Sequence, residues 1–327
     1  MNKIVCVLVS VASTFLVNAQ PPREIKNLVF EAAGIRGIAY CGAIKEMESM
    51  HLMNEIEKVA GTSSGAIMAL AVSLGYTGDE IEKLIGGTNF KKFNDGNFLF
   101  FGGISRAKNY FGWYKGKKLE KWLGQMIELK TGNADITFDE LHQKGFKDLY
   151  VTGTSLTRQR PVIFSHESYP AMKVKDAVRI SASIPLYFEA VFMDSTGNIL
   201  HHPKQKQGLD VMVDGGFLEN FPIHVFDDPK TDLFTLGFRI DPDVQIKNDR
   251  RNQVLADMPV NNLKEYMLAF YNVVIENLNR QQLKPVDWER TVSISDGDIS
   301  PKIRKLSKEE VNTLIENGRD AVKNYLN

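Results

Sequence analysis

Ser63 lies in a short stretch of small residues, with Gly61 and Gly65 two positions to either side. An apolar run precedes this stretch and an alanine-rich helical pattern follows it, so the sequence predicts a strand, a tight turn and a helix. In a G-x-S-x-G turn the serine hydroxyl is pushed outwards, towards the positive end of the helix. The spacing indicates a nucleophile, although Ser63 or Ser64 as an ordinary helix N-cap would explain the same residues.

A second small-residue loop, Ala32 to Gly37, follows the β-rich run Asn27 to Phe30. Such a loop can direct backbone N–H groups at an anion, because the first amides of a helix have no internal partner. As a dinucleotide fingerprint the loop is degenerate and predicts an acidic residue at the end of the second strand. That strand leads instead into the serine turn, so a nucleotide-binding enzyme is the weaker alternative.

The two loops are expected to meet, since parallel strands end at the same edge of a sheet. The amides of Ala33 and Gly34 and the hydroxyl of Ser63 would then face one crevice, an arrangement suited to acyl transfer through an oxyanion. A third strand delivers Asp214, which is a candidate base for Ser63. The alternative for Asp214 is a plain Asp-Gly turn.

These residues resemble the patatin-like phospholipase family. Its three motifs are matched, in order, by Ala32 to Gly37, Gly61 to Gly65 and Asp214 to Gly216, and the stretches Val151 to Thr154 and Val174 to Phe188 are also similar. The resemblance implies an α/β/α three-layer sandwich with a mostly parallel central sheet. It also implies lipid acyl hydrolysis by a Ser63–Asp214 dyad without histidine. The sequence contains no metal-binding motif, and neither a metal nor a cofactor is expected.

By the same resemblance, Ala33 and Gly34 form the oxyanion hole. Loop support comes from Arg36, Gly37, Gly61, Gly65, Gly215 and Gly216. One departure is that Ala32 and Ala33 replace the family's first two loop glycines. A positive φ at Ala33 would strain the loop and turn its amide away, so a non-catalytic lipid-binding protein stays an alternative.

A histidine could in principle extend the dyad to a triad, because His224 follows Asp214 in the chain order of α/β-hydrolases. Those enzymes build several strands before the nucleophile, whereas Ser63 follows only the second strand here. The dyad is therefore preferred. The other histidines, His51, His142, His166 and the adjacent His201 and His202, are expected to be surface or loop residues without a metal-binding motif.

Residues 1–20 are predicted to be a signal peptide, with a basic start, an apolar segment and a small-residue cleavage site, so the protein is expected to be periplasmic or secreted. The predicted catalytic domain is 21–240, and 241–327 is predicted to pack on it as an extension. The chain has 40 basic and 40 acidic residues among 327, which gives no basic patch for nucleic acid. After signal removal Cys41 is the one cysteine, expected to be buried. Oligomeric state stays open.

Two further segments carry expectations about surfaces. Residues 90–114 concentrate aromatic and lysine side chains, including Phe100 and Phe101, and could form a flap for transient contact with a membrane surface. Ordinary packing onto the sheet is at least as good an explanation. Apolar residues recurring at helical spacing from Leu263 to Val274 are expected to face the core. Ser307 and Glu310 predict the start of a C-terminal helix.

Overall fold

The computed structural model describes residues 24–96, 100–228, 234–251 and 254–326. The strands are β1 (Ile25–Phe30), β2 (Lys58–Gly61), β3 (Gly112–Tyr114), β4 (Asp148–Ser155), β5 (Arg160–Phe164), β6 (Leu186–Phe188), β7 (Val191–Met193), β8 (Ile199–Leu200), β9 (Asp210–Asp214), β10 (Phe234–Asp241) and β11 (Thr291–Ser295).

The α-helices are α1 (Ala39–Ser49), α2 (Ser64–Ser73), α3 (Gly78–Ile81), α4 (Phe100–Tyr110), α5 (Lys117–Thr131), α6 (Phe138–Gln143), α7 (Val174–Ser181), α8 (Asp243–Arg251), α9 (Leu263–Tyr271), α10 (Asn277–Arg280), α11 (Pro285–Glu289) and α12 (Lys308–Leu326). Short 3-10 helices cover Gly34–Ile38 and Gly215–Phe217, and a π-helical turn, Asn272–Glu276, joins α9 to α10. Among the described residues, no helix is both long enough and apolar enough to cross a membrane.

Nine strands form one sheet through the successive pairings β11-β10-β1-β2-β4-β9-β7-β8, and β5 is a third partner of β4. The neighbours from β11 to β4 are parallel, and β5, β7, β8 and β9 add antiparallel pairs. Because side chains alternate along a strand, Leu28 and Phe30 join the main core, while Val29 packs on the opposite face with Phe221 and Ile223. The expected mixed α/β fold with a mostly parallel central sheet is confirmed.

Strands β2 and β9 lie on the same edge of β4 and point at each other. Val151 of β4 pairs with both Gly61 and Phe164, and Gly153 pairs with both Asp214 and Val162. Since β5 occupies one edge of β4 at both positions, β2 and β9 must share the other edge. The carboxyl ends of β2 and β9 therefore arrive two residues apart along β4, which brings the loops that follow them together.

The C-terminal segment belongs to the same body. Strand β11 extends the sheet beyond β10, and α12 packs against α1 at very short range. A Cβ added at Gly318 would lie 2.0 Å from the Ala39 carbonyl oxygen, and one at Gly42 would lie 1.8 Å from that of Ile315. The predicted cap of α12 is present, because Ser307 Oγ accepts the Glu310 amide and Glu310 accepts the Ser307 amide.

The expectation that the apolar residues recurring at helical spacing from Leu263 to Val274 face the core is wrong for the four side chains that the structure describes. Leu263 is 77% exposed, and Tyr266, Phe270 and Val274 are 57%, 59% and 46% exposed. Helical spacing of apolar residues shows that they share a face of the helix, but it does not say what covers that face.

Candidate active site

Ser63 sits at a strained turn between β2 and α2. Its backbone has φ 53° and ψ −116°, a conformation that costs an L-residue of order 1–3 kcal/mol. Close packing of the turn depends on its glycines. A Cβ at Gly65 would lie 2.2 Å from the Phe30 carbonyl oxygen, and a Cβ at Gly61 would lie 2.2 Å from the Gly65 carbonyl oxygen. The turn thus has the geometry expected of a nucleophile elbow rather than of an ordinary helix cap, and Ser63 makes no side-chain cap bond.

The Ser63 hydroxyl donates a 2.7 Å hydrogen bond to Asp214 Oδ2. The other carboxylate oxygen, Oδ1, accepts the Gly216 amide at 2.8 Å. Two serines hold the pair in place. Ser181, the last residue of α7, accepts the Ser63 amide at Oγ, and the carbonyl of Ser183, just after α7, accepts the Asp214 amide. The serine turn and the Asp-Gly-Gly turn are thus joined directly and through a common support.

Asp214 is only 6% exposed, and this burial changes its acidity. Desolvation raises the pKa of Asp214 from 3.8 to about 6, and the hydrogen bonds from Ser63 and Gly216 oppose part of the increase. A carboxylate with a raised pKa accepts a proton more readily than an exposed aspartate. It is still ionised in most molecules at neutral pH.

The glycine loop reaches the same place from β1. Ala33 has φ −136°, and Gly34 is the residue with positive φ, at 58°. The replacement of glycine by alanine at position 33 therefore causes no backbone strain. The Ala33 amide donates to Ser64 Oγ at 2.8 Å, whereas the Gly34 amide donates to no group among the described residues.

Arg36 supports the loop from outside. Its Nη1 lies 2.7 Å from Asp296 Oδ2, and its Nε is 3.4 Å from the Ala33 carbonyl oxygen. Asp296 follows β11, so the C-terminal segment helps to position the loop. At Gly37 a Cβ would lie 3.2 Å from Ser64 Oγ, which leaves little room for a larger residue.

Asn220 links two loops of the site, a role that was not predicted from the sequence. Its carbonyl accepts the Ala32 amide, and its side-chain amide donates to Glu31 Oε1 at 3.0 Å. Its own amide donates to Asn279 Oδ1, and Asn279 Nδ2 donates to the Gly216 carbonyl. Asn220 thus links the loop after β1 to the loop after β9, six residues beyond Asp214 in the chain. No local pattern around Asn220 indicates this role.

Position 215 must be glycine because a Cβ there would lie 2.2 Å from Oγ1 of Thr152 in β4. Thr152 Oγ1 is in turn 2.7 Å from Thr62 Oγ1, and the Thr62 hydroxyl lies 2.8 Å from the Glu219 carbonyl oxygen. The space beside Gly216 is less restricted, since an added Cβ would lie 2.9 Å from Asn220 Oδ1. The turn after Asp214 is packed directly against the residue that precedes Ser63.

An apolar pocket opens beside Ser63 and contains about 700 Å³ of space, including its mouth. Gly34 and Ser64 border it near Ser63. The apolar lining is formed by Ile35, Ile38, Ile67, Ile85, Phe90, Phe93, Leu119, Ala182, Ile184, Phe188 and Ile303. A hydrocarbon chain matches this lining.

Residues 90–114 are partly explained by packing. Phe90 and Phe93 line the pocket, Tyr110 stacks on His202 with ring centroids 3.9 Å apart, and Tyr114 contacts Tyr187. Residues 97–99 and the side chains of Phe100 and Phe101 lie outside the described part of the structure. The flap therefore stays a prediction.

His224 has a different partner from the one a triad requires. Its Nε2 lies 2.6 Å from Asp287 Oδ2 in α11, while Asp214 is bonded to Ser63 and Gly216. Cys41 is buried, as expected. His142 is exposed, as expected, whereas His166 is half-buried, and their rings stack on each other. His202 contacts Glu189 Oε2 at 2.8 Å.

Comparison with known proteins agrees with this geometry. A family model described as patatin-like phospholipase matches residues 28–227, so the chain belongs to the patatin-like phospholipase family. An uncharacterized protein of Acanthamoeba polyphaga mimivirus is 28% identical over 309 residues, which cover 93% of this chain and 94% of that protein. A protein of Invertebrate iridescent virus 6, named a probable lipid hydrolase, is 28% identical over 211 residues, or 62% of this chain and 64% of the viral protein.

Among solved structures, that of VipD from Legionella pneumophila matches with a TM-score of 0.57 at 16% identity. The match covers 93% of this chain and 67% of that chain. It is a likeness of fold, and it extends well beyond the residues matched by the family model.

Proposed function

We propose that this protein is a serine lipid acyl hydrolase of phospholipase A or lipase type, which cleaves carboxylic esters through Ser63 and Asp214. Membership of the patatin-like phospholipase family supports lipid hydrolysis in general. The single observation that carries the specific mechanism is the 2.7 Å bond from Ser63 Oγ to the buried Asp214 carboxylate, beside an apolar pocket.

In the first half-reaction, Asp214 takes the proton from the Ser63 hydroxyl as Oγ attacks the ester carbonyl carbon. The carbonyl oxygen becomes an oxyanion. When the tetrahedral intermediate collapses, the bond to the alcohol breaks and the alcohol leaves with the proton held by Asp214. The product is an acyl ester on Ser63 and a free alcohol or lysolipid.

In the second half-reaction, Asp214 takes a proton from water, and the resulting hydroxide attacks the acyl carbon. Collapse returns the proton to Ser63 Oγ and releases the fatty acid. The buried position of Asp214 suits both halves, because a pKa of about 6 lets the same carboxyl group accept and return a proton near neutral pH.

The oxyanion is proposed to bind at the Gly34 amide, which has no other acceptor among the described residues and borders the pocket with Ser63. Ala33 was expected to supply the second donor. Its amide is bonded to Ser64 Oγ, so it would become available to substrate when the Ser64 side chain rotates. The Arg36 contacts with Asp296 and the Ala33 carbonyl are proposed to keep the loop in position.

The substrate's acyl chain is proposed to occupy the apolar pocket, because its lining offers almost no partner to a polar group. Long-chain esters should accordingly be favoured over acetate esters. Variants that enlarge a side chain in this lining, such as Ala182→Leu, should shorten the preferred chain.

A fluorophosphonate probe provides the test. The mature protein should be labelled once per chain, with the adduct on Ser63, and Ser63→Ala should lose both labelling and ester hydrolysis while keeping its circular dichroism spectrum. Ser105→Ala, which removes an exposed serine on α4, is the matched control and should behave as the unmodified protein. Hydrolysis by purified Ser63→Ala would refute the mechanism, and lipid binding without any turnover would favour the non-catalytic lipid-binding alternative.

Membrane contact is proposed to occur through the exposed apolar side chains of α9 and the turn after it: Leu263, Tyr266, Phe270, Val273 and Val274. A stripe of aliphatic and aromatic residues on one helix face is typical of helices that lie in the interface of a bilayer. The same helical segment is anchored at the active site, because Asn279 at its far end bonds to Gly216 and Asn220.

Vesicle co-sedimentation tests the contact. The double variant Leu263→Ser/Phe270→Ser should bind phospholipid vesicles less well and keep its activity on soluble esters. Leu129→Ser, which alters a leucine that is 73% exposed on α5, is the control and should leave vesicle binding unchanged. Equal binding by all three proteins would exclude α9 as the contact surface.

Export is proposed from the N-terminal segment, which lies outside the described residues. N-terminal sequencing of protein recovered from the native cell should begin near Gln20. Recovery of the intact N-terminus inside the cell would contradict export.

A further inference from the structure

His142, Asp148 and His166 form a cluster that the proposed hydrolysis does not use. One ligand-type atom from each of the three residues lies within 4.8 Å of the other two. His142 Nδ1 is 2.6 Å from Asp148 Oδ1, and His166 Nε2 is 3.5 Å from Asp148 Oδ2. Two imidazole nitrogens therefore face one carboxylate from the same side.

The two imidazole rings are stacked, with centroids 4.1 Å apart and planes only 5° from parallel. In this arrangement Nδ1 of His142 and Nε2 of His166 both lie beside the Asp148 carboxylate. A divalent cation between the nitrogens and the carboxylate would balance the negative charge of Asp148.

Three separate elements hold the cluster in place. His142 is in α6, whose start is fixed by a capping box between Thr137 and Glu140. Asp148 is the first residue of β4, and its amide donates to the Glu57 carbonyl at 2.9 Å. His166 is in the turn after β5, where Ser165 Oγ accepts the amide of the next residue, Glu167. Ligands on three anchored elements are preorganised, so little ordering is needed when the ion binds.

We propose that His142, Asp148 and His166 bind a late first-row divalent cation such as Zn²⁺. Imidazole and carboxylate ligands suit these metals, and Zn–N and Zn–O bonds of about 2.0–2.2 Å place neighbouring ligand atoms about 3.4 Å apart in a tetrahedral site. The distance from His166 Nε2 to Asp148 Oδ2 is 3.5 Å, which is close to this value. The shorter contact of His142 must open by less than about 1 Å.

A fourth ligand is within reach. Glu167 Oε1 lies 3.9 Å from His166 Nε2 and accepts a hydrogen bond from Tyr150 at 2.9 Å. Its side chain is 58% exposed and can turn towards the ion. Water would otherwise complete the coordination, since His142 is 48% exposed.

The site would be structural. Asp148 pairs with Lys58 at the beginning of β2, whereas Ser63 and Asp214 lie beyond the other end of β2 and next to Gly153. The ion would join α6, β4 and the turn after β5, and would stabilise the folded state because the unfolded chain does not hold the three ligands together.

Calorimetric titration with Zn²⁺ tests the proposal on full-length mature protein without a histidine tag, after chelator treatment and dialysis. One ion should bind per chain, and Zn²⁺ should raise the melting temperature. His142→Ala and His166→Ala should each weaken binding more than about 100-fold, because even outer contacts of metal ligands are worth 10–100-fold. His201→Ala is the control and should bind as the unmodified protein does.

Asp148→Asn provides a second variant of almost unchanged shape, in case removing a ring disturbs the turn. It should abolish the increase in melting temperature while leaving the metal-free melting temperature and ester hydrolysis nearly unchanged. Absence of stoichiometric Zn²⁺ binding would overturn the proposal. Equal affinity in the protein lacking both His142 and His166 would overturn it as well.

Discussion

Replacing Asp214 with asparagine should remove activity and at the same time increase stability at neutral pH. The carboxylate is 6% exposed, and burial raises its pKa from 3.8 to about 6. Protonation is therefore favoured in the folded state, so this group's contribution to stability is fully present below about pH 4. That contribution is lost as the pH rises through about 6 and the buried carboxyl ionises.

The size of the effect follows from the pKa change. At about 1.4 kcal/mol per pH unit, a rise from 3.8 to about 6 corresponds to about 3 kcal/mol of folding free energy. Asparagine never ionises and occupies the same volume. Its oxygen can accept the Gly216 amide, and its –NH₂ can donate to Ser63 Oγ, so both side-chain contacts of Asp214 are retained.

Urea unfolding of the two proteins at pH 4, 5, 6, 7 and 8 measures the prediction. The free energy of unfolding of Asp214→Asn relative to the unmodified protein should grow by about 2.5 kcal/mol from pH 4 to pH 8, with most of the change between pH 4 and 6. Asp320→Asn changes an exposed carboxylate on α12 and should show no such pH dependence. A stability difference that stays constant over this range would refute the reasoning about burial. Ester hydrolysis by Asp214→Asn at more than about 1% of the normal rate would refute its role as the base.

Three further outcomes are expected. The kcat/KM for a soluble ester should rise about tenfold per pH unit up to about pH 6 and then level off, because Asp214 must be ionised to accept a proton; a rate independent of pH from 4 to 7 would contradict this. Ser64→Ala frees the Ala33 amide and should leave kcat equal or higher, whereas a loss of 100-fold or more would mean that the Ser64 hydroxyl itself contacts the oxyanion. Gly65→Ala, measured by chemical unfolding, should cost at least about 2 kcal/mol because its Cβ would meet backbone at 2.2 Å, while Gly87→Ala, with its nearest contact at 3.7 Å, should be close to neutral.

The loops carrying Ser63 and Gly34 could be predicted from sequence because their signals are local. A β-rich run, a cluster of small residues and a helical pattern follow one another at both places, and β1 and β2 are adjacent parallel strands as expected. The small residues themselves indicate the geometry. A glycine at position 65 predicts close approach of two backbones, and in the structure a Cβ at Gly65 would collide with β1.

The position of Asp214 could not be derived from the same reasoning. The sequence suggested strand ends meeting at one edge of a parallel sheet, which holds for Ala33 and Ser63. Strand β9 is antiparallel to β4, and Asp214 reaches Ser63 because β9 and β2 meet end to end along one edge of β4. Strand direction depends on long-range pairing, and no local residue pattern reports it.

Long-range contacts also explain the other differences. Asn220 and Ser181 accept hydrogen bonds from the backbone amides of Ala32 and Ser63, which are far away along the chain, and such contacts leave no recognisable spacing in the sequence. His142 and His166 are 24 residues apart and meet only because β4 and β5 form an antiparallel pair behind them. The exposed face of α9 has the same helical periodicity as a buried one, so its environment had to come from the fold.

Alanine fits the backbone of the loop from Ala32 to Gly37 at positions 32 and 33. The sequence departs from the family's motif at Ala32 and Ala33, and the question it raised was whether either position needs a positive φ. Neither does, because positive φ in this loop falls on Gly34, the one glycine of the three that is kept. The donor geometry therefore does not require glycine at positions 32 and 33. The Ala33 amide is unavailable to another acceptor while it donates to Ser64 Oγ. Rotation about χ1 of Ser64 would break this hydrogen bond and free the amide.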